Sequence, residues 1–258
     1  MTTPPGYADS TEPLPLIYVV DGNWAVGLTA PLIVVQADPY LKIAPYIQVS
    51  VGYAGEEAAD WARLRNRDLV PPGEPVSDGM VATLAAARDS GAMTQEYLDA
   101  YLAELADTRA DVFLGFLTDE LHPVLSSRLR VSEGGHGLFG YSYGGLFALY
   151  AWLREAVPFA TFGAGSPGVV GPDSRIFALA GAQPEDSAGP RLHVTLNEAE
   201  LLGEIPLYRE MSRHVLAVLE QVHGRGRSRD VSRTVLRETH LTGLQASFLS
   251  YLKTCHAH

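Results

Sequence analysis

The chain of 258 residues is poor in cysteine, in basic charge and in long apolar runs. Its one cysteine, Cys255, excludes a disulfide within the chain. Its 19 basic and 30 acidic residues give a net charge of −11, which argues against nucleic acid or an anionic membrane as a partner. No apolar run reaches the roughly eighteen residues of a membrane span, and the first residues lack the pattern of a signal peptide. We therefore expect a soluble, cytoplasmic protein.

The C-terminal tail gathers three side chains that can bind a metal, Cys255, His256 and His258. Two or three ligands at a fraying chain end do not make a closed tetrahedral site. We therefore expect a mobile terminus there, with neither a metal nor a cofactor in the protein.

Apolar runs typical of buried strands alternate with helical patterns along the chain. The runs at 16–20 and 47–51 predict strands, and the face shared by Leu207, Met211 and Val215 predicts a helix. This alternation predicts a single α/β domain over 1–258, with a mainly parallel, doubly wound sheet.

Residues 77–109 stand apart, because two helical segments follow a loop rich in proline and glycine. Thr94 is a candidate N-cap for the second segment. The block lies between core strands, so it is either a lid over a site or an ordinary surface excursion. We keep both interpretations.

The stretch GYSYGG at 140–145 has the G-x-S-x-G spacing of a nucleophile elbow, in which a serine sits on a strained turn between a strand and a helix. The spacing alone is a weak signal, but a strand pattern precedes Ser142 and a helix pattern follows it. Gly140 and Gly144 leave the room that such a turn needs. The Tyr143 amide would then be one donor of an oxyanion hole.

A nucleophilic serine needs a base, and in this type of fold the order is serine, acid, histidine. His240 lies between a predicted strand and the last predicted helix, whereas the other downstream histidines lie in a strand, on a helix or in the tail. The acid should come from the loop after the strand at 191–197. Glu200 is preferred and Glu198 is close behind, while Glu204 or a Ser–His dyad without an acid are alternatives.

Six stretches, taken in order, resemble the Putative esterase family of α/β-hydrolases, which includes esterase D-like enzymes, enterochelin and salmochelin esterases, and mycolyltransferase relatives. They span about residues 14–250 and read IYVVDGNW, RNRDLVPP, FLTDELHPVLSSRLRV, GLFGYSYGGLFALYAWL, SPG and RETH. The resemblance implies the α/β-hydrolase fold, with Ser142 as nucleophile and His240 as base. It also implies a second oxyanion amide from Gly22 or Asn23. Arg67 matches an arginine near the substrate in the siderophore esterases, and a salt bridge of Arg67 with Asp68 or another acidic residue is an equally good interpretation.

Three departures separate the chain from this family. Tyr141 and Tyr143 flank the serine, where the family usually has His-Ser-Leu or His-Ser-Met. The segment 77–109 looks longer than the family's loop. About thirteen residues precede the first strand, so we expect the family's antiparallel N-terminal edge strands to be missing, either from the sheet or from the start of the chain.

These features predict a serine esterase that acts on a small-molecule carboxylic ester. Trp24 and Tyr141 are candidates for an aromatic substrate pocket, although aromatic residues at strand ends more often belong to the core. Two alternatives remain: an acyltransferase or cyclase that uses the same acyl-enzyme, and a hydrolase-fold binding protein without turnover. Neither the substrate nor the oligomeric state can be read from the sequence.

Overall fold

The computed structural model describes residues 1–185, 189–226 and 231–257. Its centre is a six-stranded parallel sheet in the order β2-β1-β3-β4-β5-β6. The strands are β1 (Leu16–Val19), β2 (Ile47–Ser50), β3 (His136–Tyr141), β4 (Phe159–Gly165), β5 (Arg191–Asn197) and β6 (Val231–Leu236). The predicted fold class is confirmed, since parallel strands alternate with helices along the chain.

Helices cover both faces of the sheet. They are α1 (Gly22–Thr29), α2 (Trp61–Leu69), α3 (Asp78–Asp89), α4 (Gln95–Ala106), α5 (Ala110–Gly115), α6 (His122–Arg128), α7 (Tyr143–Leu153), α8 (Arg175–Gly181), α9 (Glu198–Leu202), α10 (Pro206–Gly224) and α11 (Gly243–Cys255). A π-helical turn, Phe116–Leu121, joins α5 to α6. None of the described helices is both long and apolar enough to cross a membrane.

Alternate residues of the central strands β1 and β3 supply two cores, because successive side chains of a strand point to opposite faces. On β1, Leu16 and Tyr18 pack with α7 in the larger core, whereas Ile17 and Val19 pack with α11 in the smaller one. Helix α7 is buried at every position, which explains its almost wholly apolar sequence.

The strand order reverses between β1 and β3. The chain passes from β1 outward to β2, returns to β3, and then proceeds outward to β6. In open parallel sheets, the crevice at the carboxyl ends of the strands beside such a reversal is where ligands bind. Asp21 follows β1 and Ser142 follows β3, so both lie at this crevice.

The segment 77–109 contains α3 and α4, as predicted. Ser77 and Thr94 cap them, accepting hydrogen bonds from the amides of Met80 and Tyr97. Helix α4 packs on α2, and its Leu105 is buried in the larger core. The segment is thus anchored to the main domain, and its function as a lid stays a prediction.

The C-terminal tail is folded, so the expectation of a mobile terminus was wrong. Cys255 and His256 are buried, and His256 Nε2 lies 3.0 Å from Thr161 Oγ1 and 2.9 Å from the Tyr251 hydroxyl. Burial lowers the pKa of His256 to about 4. The tail is held in place because α11 positions His256 beside the hydroxyl groups of Thr161 and Tyr251. His258 lies outside the described residues.

The N-terminal residues contribute little to the described sheet. Thr2 forms an isolated antiparallel bridge with Gln48 of β2, and β2 is the edge strand on that side. In the described part of the chain, no antiparallel strand pair precedes β1, in agreement with the sequence-based expectation.

Candidate active site

Ser142 lies on a strained turn between β3 and α7, with φ 59° and ψ −117°. A non-glycine residue rarely adopts such a conformation, and its cost of about 1–3 kcal/mol persists only where the surroundings impose it. A Cβ on Gly140 would lie 2.0 Å from the Gly144 carbonyl oxygen, and one on Gly145 would lie 2.4 Å from that of Gly165. The glycines around Ser142 are therefore required by the close approach of backbone segments.

Three side chains from distant parts of the sequence form a hydrogen-bonded chain at this turn. The Ser142 Oγ lies 3.1 Å from His240 Nε2, and His240 Nδ1 lies 2.7 Å from Glu200 Oε1. His240 comes from the loop between β6 and α11, and Glu200 from α9, directly after β5. The His240 side chain is 10% exposed and that of Glu200 is 2% exposed.

The Glu200 carboxylate is held by four hydrogen-bond donors. Besides His240, Oε1 accepts from Ser166 Oγ at 2.5 Å and from Asn197 Nδ2 at 2.8 Å, while Oε2 accepts from the Asn197 amide at 3.1 Å. Burial raises the pKa of Glu200, but the hydrogen bonds from His240, Ser166 and Asn197 outweigh it and leave the pKa below its ordinary value. The carboxylate is thus ionised at neutral pH and fixed in direction.

The other acidic candidates do not contact His240. Glu198 is exposed and lines a shallow groove of about 480 Å³ on the outer side of the histidine loop, next to Glu238 and Thr242. Glu204 is also exposed. The helical turn of α9 explains the difference, since it directs Glu200 inward and Glu198 outward.

Two further side chains contact this group and were missed by the sequence analysis. Ser166 is buried, has φ 41°, and places its hydroxyl 3.3 Å from His240 Nδ1 as well as on Glu200. The Tyr208 ring of α10 stacks on the His240 imidazole, with centroids 4.5 Å apart and planes 14° apart. The SPG stretch hinted at Ser166, but no local pattern signals Tyr208.

Backbone amides near Ser142 differ in whether they are already engaged. The Gly22 amide donates to the Val51 carbonyl at 2.7 Å. The Asn23 and Tyr143 amides, by contrast, donate to no acceptor among the described residues. The Asn23 side chain fixes the turn after β1 to the backbone of Tyr53. Its Nδ2 donates to the Tyr53 carbonyl at 2.9 Å, and its Oδ1 accepts from the Tyr53 amide at 2.7 Å.

The predicted substrate-binding residues are engaged with other groups of the protein. Arg67 donates to Asp68 through Nε at 2.8 Å and Nη2 at 3.0 Å. Tyr141 is 1% exposed, its hydroxyl accepts from Asn197 Nδ2 at 2.6 Å, and its ring centroid lies 5.4 Å from that of His240. Trp24 packs edge-on against Tyr141, with centroids 5.8 Å apart. Tyr141 therefore packs against the His240 ring and helps to hold it in place.

No cluster of three or more histidine, cysteine or acidic side chains suited to a metal ion occurs within 1–185, 189–226 and 231–257. At the carboxyl ends of the strands, the described residues form a hydrogen-bonded chain from Ser142 through His240 to Glu200. Ser142 has a histidine partner, the histidine has a buried carboxylate, and two unengaged amides lie on the turns that follow β1 and β3.

A family model described as "Putative esterase" matches residues 1–187 of the chain. The match includes Ser142 and ends before Glu200 and His240. The chain is 33% identical over 159 residues to a siderophore triacetylfusarinine C esterase of Aspergillus fumigatus, covering 61% of this chain and 45% of the relative. The chain spans about half the length of the curated relatives it matches.

Solved structures show the same fold. Siderophore hydrolase EstB from Aspergillus nidulans superimposes with a TM-score of 0.71 at 22% identity, over 95% of this chain and 83% of that one. An IroE-like serine hydrolase from Shewanella oneidensis does so with a TM-score of 0.72 at 19% identity, over 98% of this chain and 73% of that one.

Proposed function

Because the chain belongs to the Putative esterase family, we propose that it is a serine hydrolase that cleaves a carboxylic ester through an acyl-enzyme on Ser142. The observation that carries this proposal is the continuous hydrogen-bonded path from Ser142 through His240 to Glu200, with heavy-atom distances of 3.1 Å and 2.7 Å. Both distances fall within the reach of proton transfer between a nucleophile, its base and an orienting acid.

In the first half of the reaction, His240 Nε2 takes the proton of the Ser142 hydroxyl as the oxygen attacks the ester carbonyl. Glu200 accepts the hydrogen bond of His240 Nδ1–H, which keeps Nε2 free to act as a base and stabilises the imidazolium that forms. His240 then gives its proton to the departing alcohol, and the acyl group stays on Ser142.

The negative charge on the carbonyl oxygen requires donors that are not already engaged. The Tyr143 amide, at the start of α7, and the Asn23 amide meet this condition, and the helix end adds a favourable dipole. The Gly22 amide already donates to the Val51 carbonyl, so we assign the second oxyanion donor to Asn23. In the second half, His240 activates a water that releases the acid. These steps need only the chain's own groups, so no cofactor is invoked.

Names of the relatives suggest the substrate class. The Aspergillus fumigatus relative is a siderophore triacetylfusarinine C esterase, and a Bacillus subtilis relative is a ferri-bacillibactin esterase. We extend this to a siderophore-type ester as the substrate here. Hydrolysis of triacetylfusarinine C and of bacillibactin, each measured with and without iron, would test the extension.

The first test is intact-protein mass spectrometry after treatment with a fluorophosphonate. We expect one adduct on the wild-type protein, none on Ser142→Ala, and an unchanged adduct on the control Ser127→Ala, which alters an exposed serine of α6. No adduct on the folded wild-type protein would refute an activated Ser142 and favour a role in binding without turnover.

Product analysis then distinguishes hydrolysis from acyl transfer. Aryl esters are incubated with the protein in the presence of competing alcohols and amines. Release of free acid as the main product supports the esterase. Acyl transfer to the acceptor as the main product would replace it by a transferase that uses the same acyl-enzyme.

A further inference from the structure

We propose that Arg65 is a positioning residue that holds the two oxyanion amides, those of Asn23 and Tyr143, at a fixed separation. The proposal rests on the proposed esterase function and adds a residue of α2 to it. The sequence pattern pointed to Arg67 and gave no reason to select Arg65. In the structure, however, Arg65 contacts both turns that carry the unengaged amides.

The first contact is an ion pair with Asp21. Arg65 Nε lies 2.6 Å from Oδ1, and Nη2 lies 2.6 Å from Oδ2, so the guanidinium grips the carboxylate with two parallel hydrogen bonds. The Arg65 side chain is 11% exposed and that of Asp21 is 2% exposed. Such a two-pronged geometry fixes orientation as well as distance, which a lysine at this position would not do.

Asp21 links this ion pair to the Asn23 amide. Its backbone is left-handed, with φ 58° and ψ 37°, and it is the N-cap of α1. Its carbonyl oxygen accepts from the amides of Trp24 at 2.9 Å and Ala25 at 2.8 Å. Asn23 lies within this turn, so a rotation of Asp21 would redirect the Asn23 amide.

The second contact is with the elbow itself. The Arg65 Cζ lies over the Tyr143 ring, 5.2 Å from its centroid, which is a cation–π distance. A Cβ on Gly144 would lie 2.9 Å from Asp21 Oδ2, so the gripped carboxylate also packs directly against the first turn of α7. One guanidinium therefore joins the loop after β1 to the loop after β3.

An oxyanion hole works by preorganisation, because donors that are already aimed at the developing charge need no rearrangement during the reaction. The two donors here come from separate loops. Arg65 of α2 contacts both loops, through a buried ion pair with Asp21 and by packing over the Tyr143 ring, and so helps to fix their relative position. Loss of Arg65 should therefore displace the donors from each other while leaving Ser142 and His240 in contact.

The test compares an aryl ester with the matched thionoester, in which sulfur replaces the carbonyl oxygen. Sulfur is larger and a weaker hydrogen-bond acceptor, so a well-formed oxyanion hole favours the oxygen ester. The variants are Arg65→Met and Arg65→Lys. The matched control is Arg63→Met, on the same helix, where Arg63 pairs with Asp60 at 3.5 Å and with Glu104.

We expect Arg65→Met to lower kcat for the oxygen ester by roughly 10- to 100-fold, less than the loss of a whole donor. The thionoester should lose little, so the oxygen-to-sulfur ratio of kcat/KM should fall at least about tenfold. KM should change little, Arg65→Lys should give an intermediate ratio, and the ratio of Arg63→Met should match the wild type. If Arg65→Met fails to fold, Arg65→Lys carries the test, since it keeps a cation opposite Asp21.

Equal losses on both esters, or an unchanged ratio in both variants, would overturn the proposal and leave Arg65 as a structural ion pair. A wild-type protein that turns over neither ester would refute the esterase function itself, and the proposal with it. The two failures are thus told apart by the wild-type rate.

Discussion

Replacing Glu200 by glutamine tests whether the acid takes part in the chemistry or whether Ser142 and His240 work as a dyad. Both carboxylate oxygens face donors only: Oε1 accepts from His240, Ser166 and Asn197 Nδ2, and Oε2 accepts from the Asn197 amide. A glutamine must point its NH₂ group at one of these donors, whichever way it is turned.

Either orientation in Glu200→Gln damages the base. With the NH₂ toward His240, the imidazole is forced into the tautomer whose Nε2 carries a proton, which cannot accept one from Ser142. With the NH₂ toward the Asn197 amide, two donors oppose each other in a buried site. The negative charge that stabilises the imidazolium is lost in both cases. In the serine-protease triad, the wrong tautomer costs about 10⁴-fold, so we expect kcat to fall by about 10³- to 10⁴-fold, or about 4–5.5 kcal/mol in the activation free energy.

The assay is steady-state hydrolysis of an aryl acetate at pH 7–9, with the unfolding midpoint in urea measured alongside. Glu198→Gln is the matched control, because it makes the same chemical change two residues away on an exposed side chain. It should retain kcat within about twofold, as exposed substitutions away from such contacts usually do.

A loss of less than about tenfold for Glu200→Gln, in a protein with wild-type stability, would contradict the reasoning and support a dyad. Equal losses in Glu198→Gln and Glu200→Gln would mean that the loop after β5 adopts another arrangement during catalysis.

Tyr208→Leu should lower kcat by about 3- to 10-fold, because the stacked ring stabilises the His240 cation by roughly a kcal/mol. Tyr208→Phe keeps an aromatic ring and should keep the rate. The pH–rate profiles of both variants would check this. A second prediction concerns His136, whose pKa burial lowers to about 4 with help from the charge of His122. Since its Nδ1 accepts from the Leu16 amide, the histidine stabilises the fold fully above pH 6.5 and loses up to about 3 kcal/mol as the pH falls to 4. His136→Asn should reduce, by up to about 3 kcal/mol, the loss of urea-unfolding stability over that range. The remaining loss comes from groups such as His193 and His256, whose pKa burial also lowers to about 4. An unchanged slope would refute the assignment.

The local sequence around Ser142 was sufficient to predict the turn and the elements on either side of it. Backbone segments approach so closely at Gly140 and Gly145 that side chains are excluded, and this constraint appears directly as glycine spacing. His240 could be inferred from its place between the last strand and the last helix. The alternation of apolar runs likewise predicted a parallel sheet, because a strand buried on both faces must be apolar along its length.

The choice among Glu198, Glu200 and Glu204 could not be read from composition, since all three follow the same strand. It depends on which way one short helical turn faces, and on Asn197 and Ser166 being present to satisfy the buried carboxylate. Tyr208 could likewise not be inferred from the sequence, because its contact with His240 joins α10 to the loop before α11, far away along the chain.

The same distinction between local spacing and tertiary packing applies to the two arginines of α2 and to the C-terminal tail. The sequence pattern led to Arg67, but the rotation of the helix turns Arg65 toward Asp21 and Tyr143 and leaves Arg67 with Asp68. A polar tail predicts fraying, yet α11 inserts His256 into a gap lined by Thr161. Local spacing encodes constraints between neighbours along the chain, whereas partners, burial and hydrogen bonding depend on residues brought together from far apart in sequence, and only the packed fold determines them.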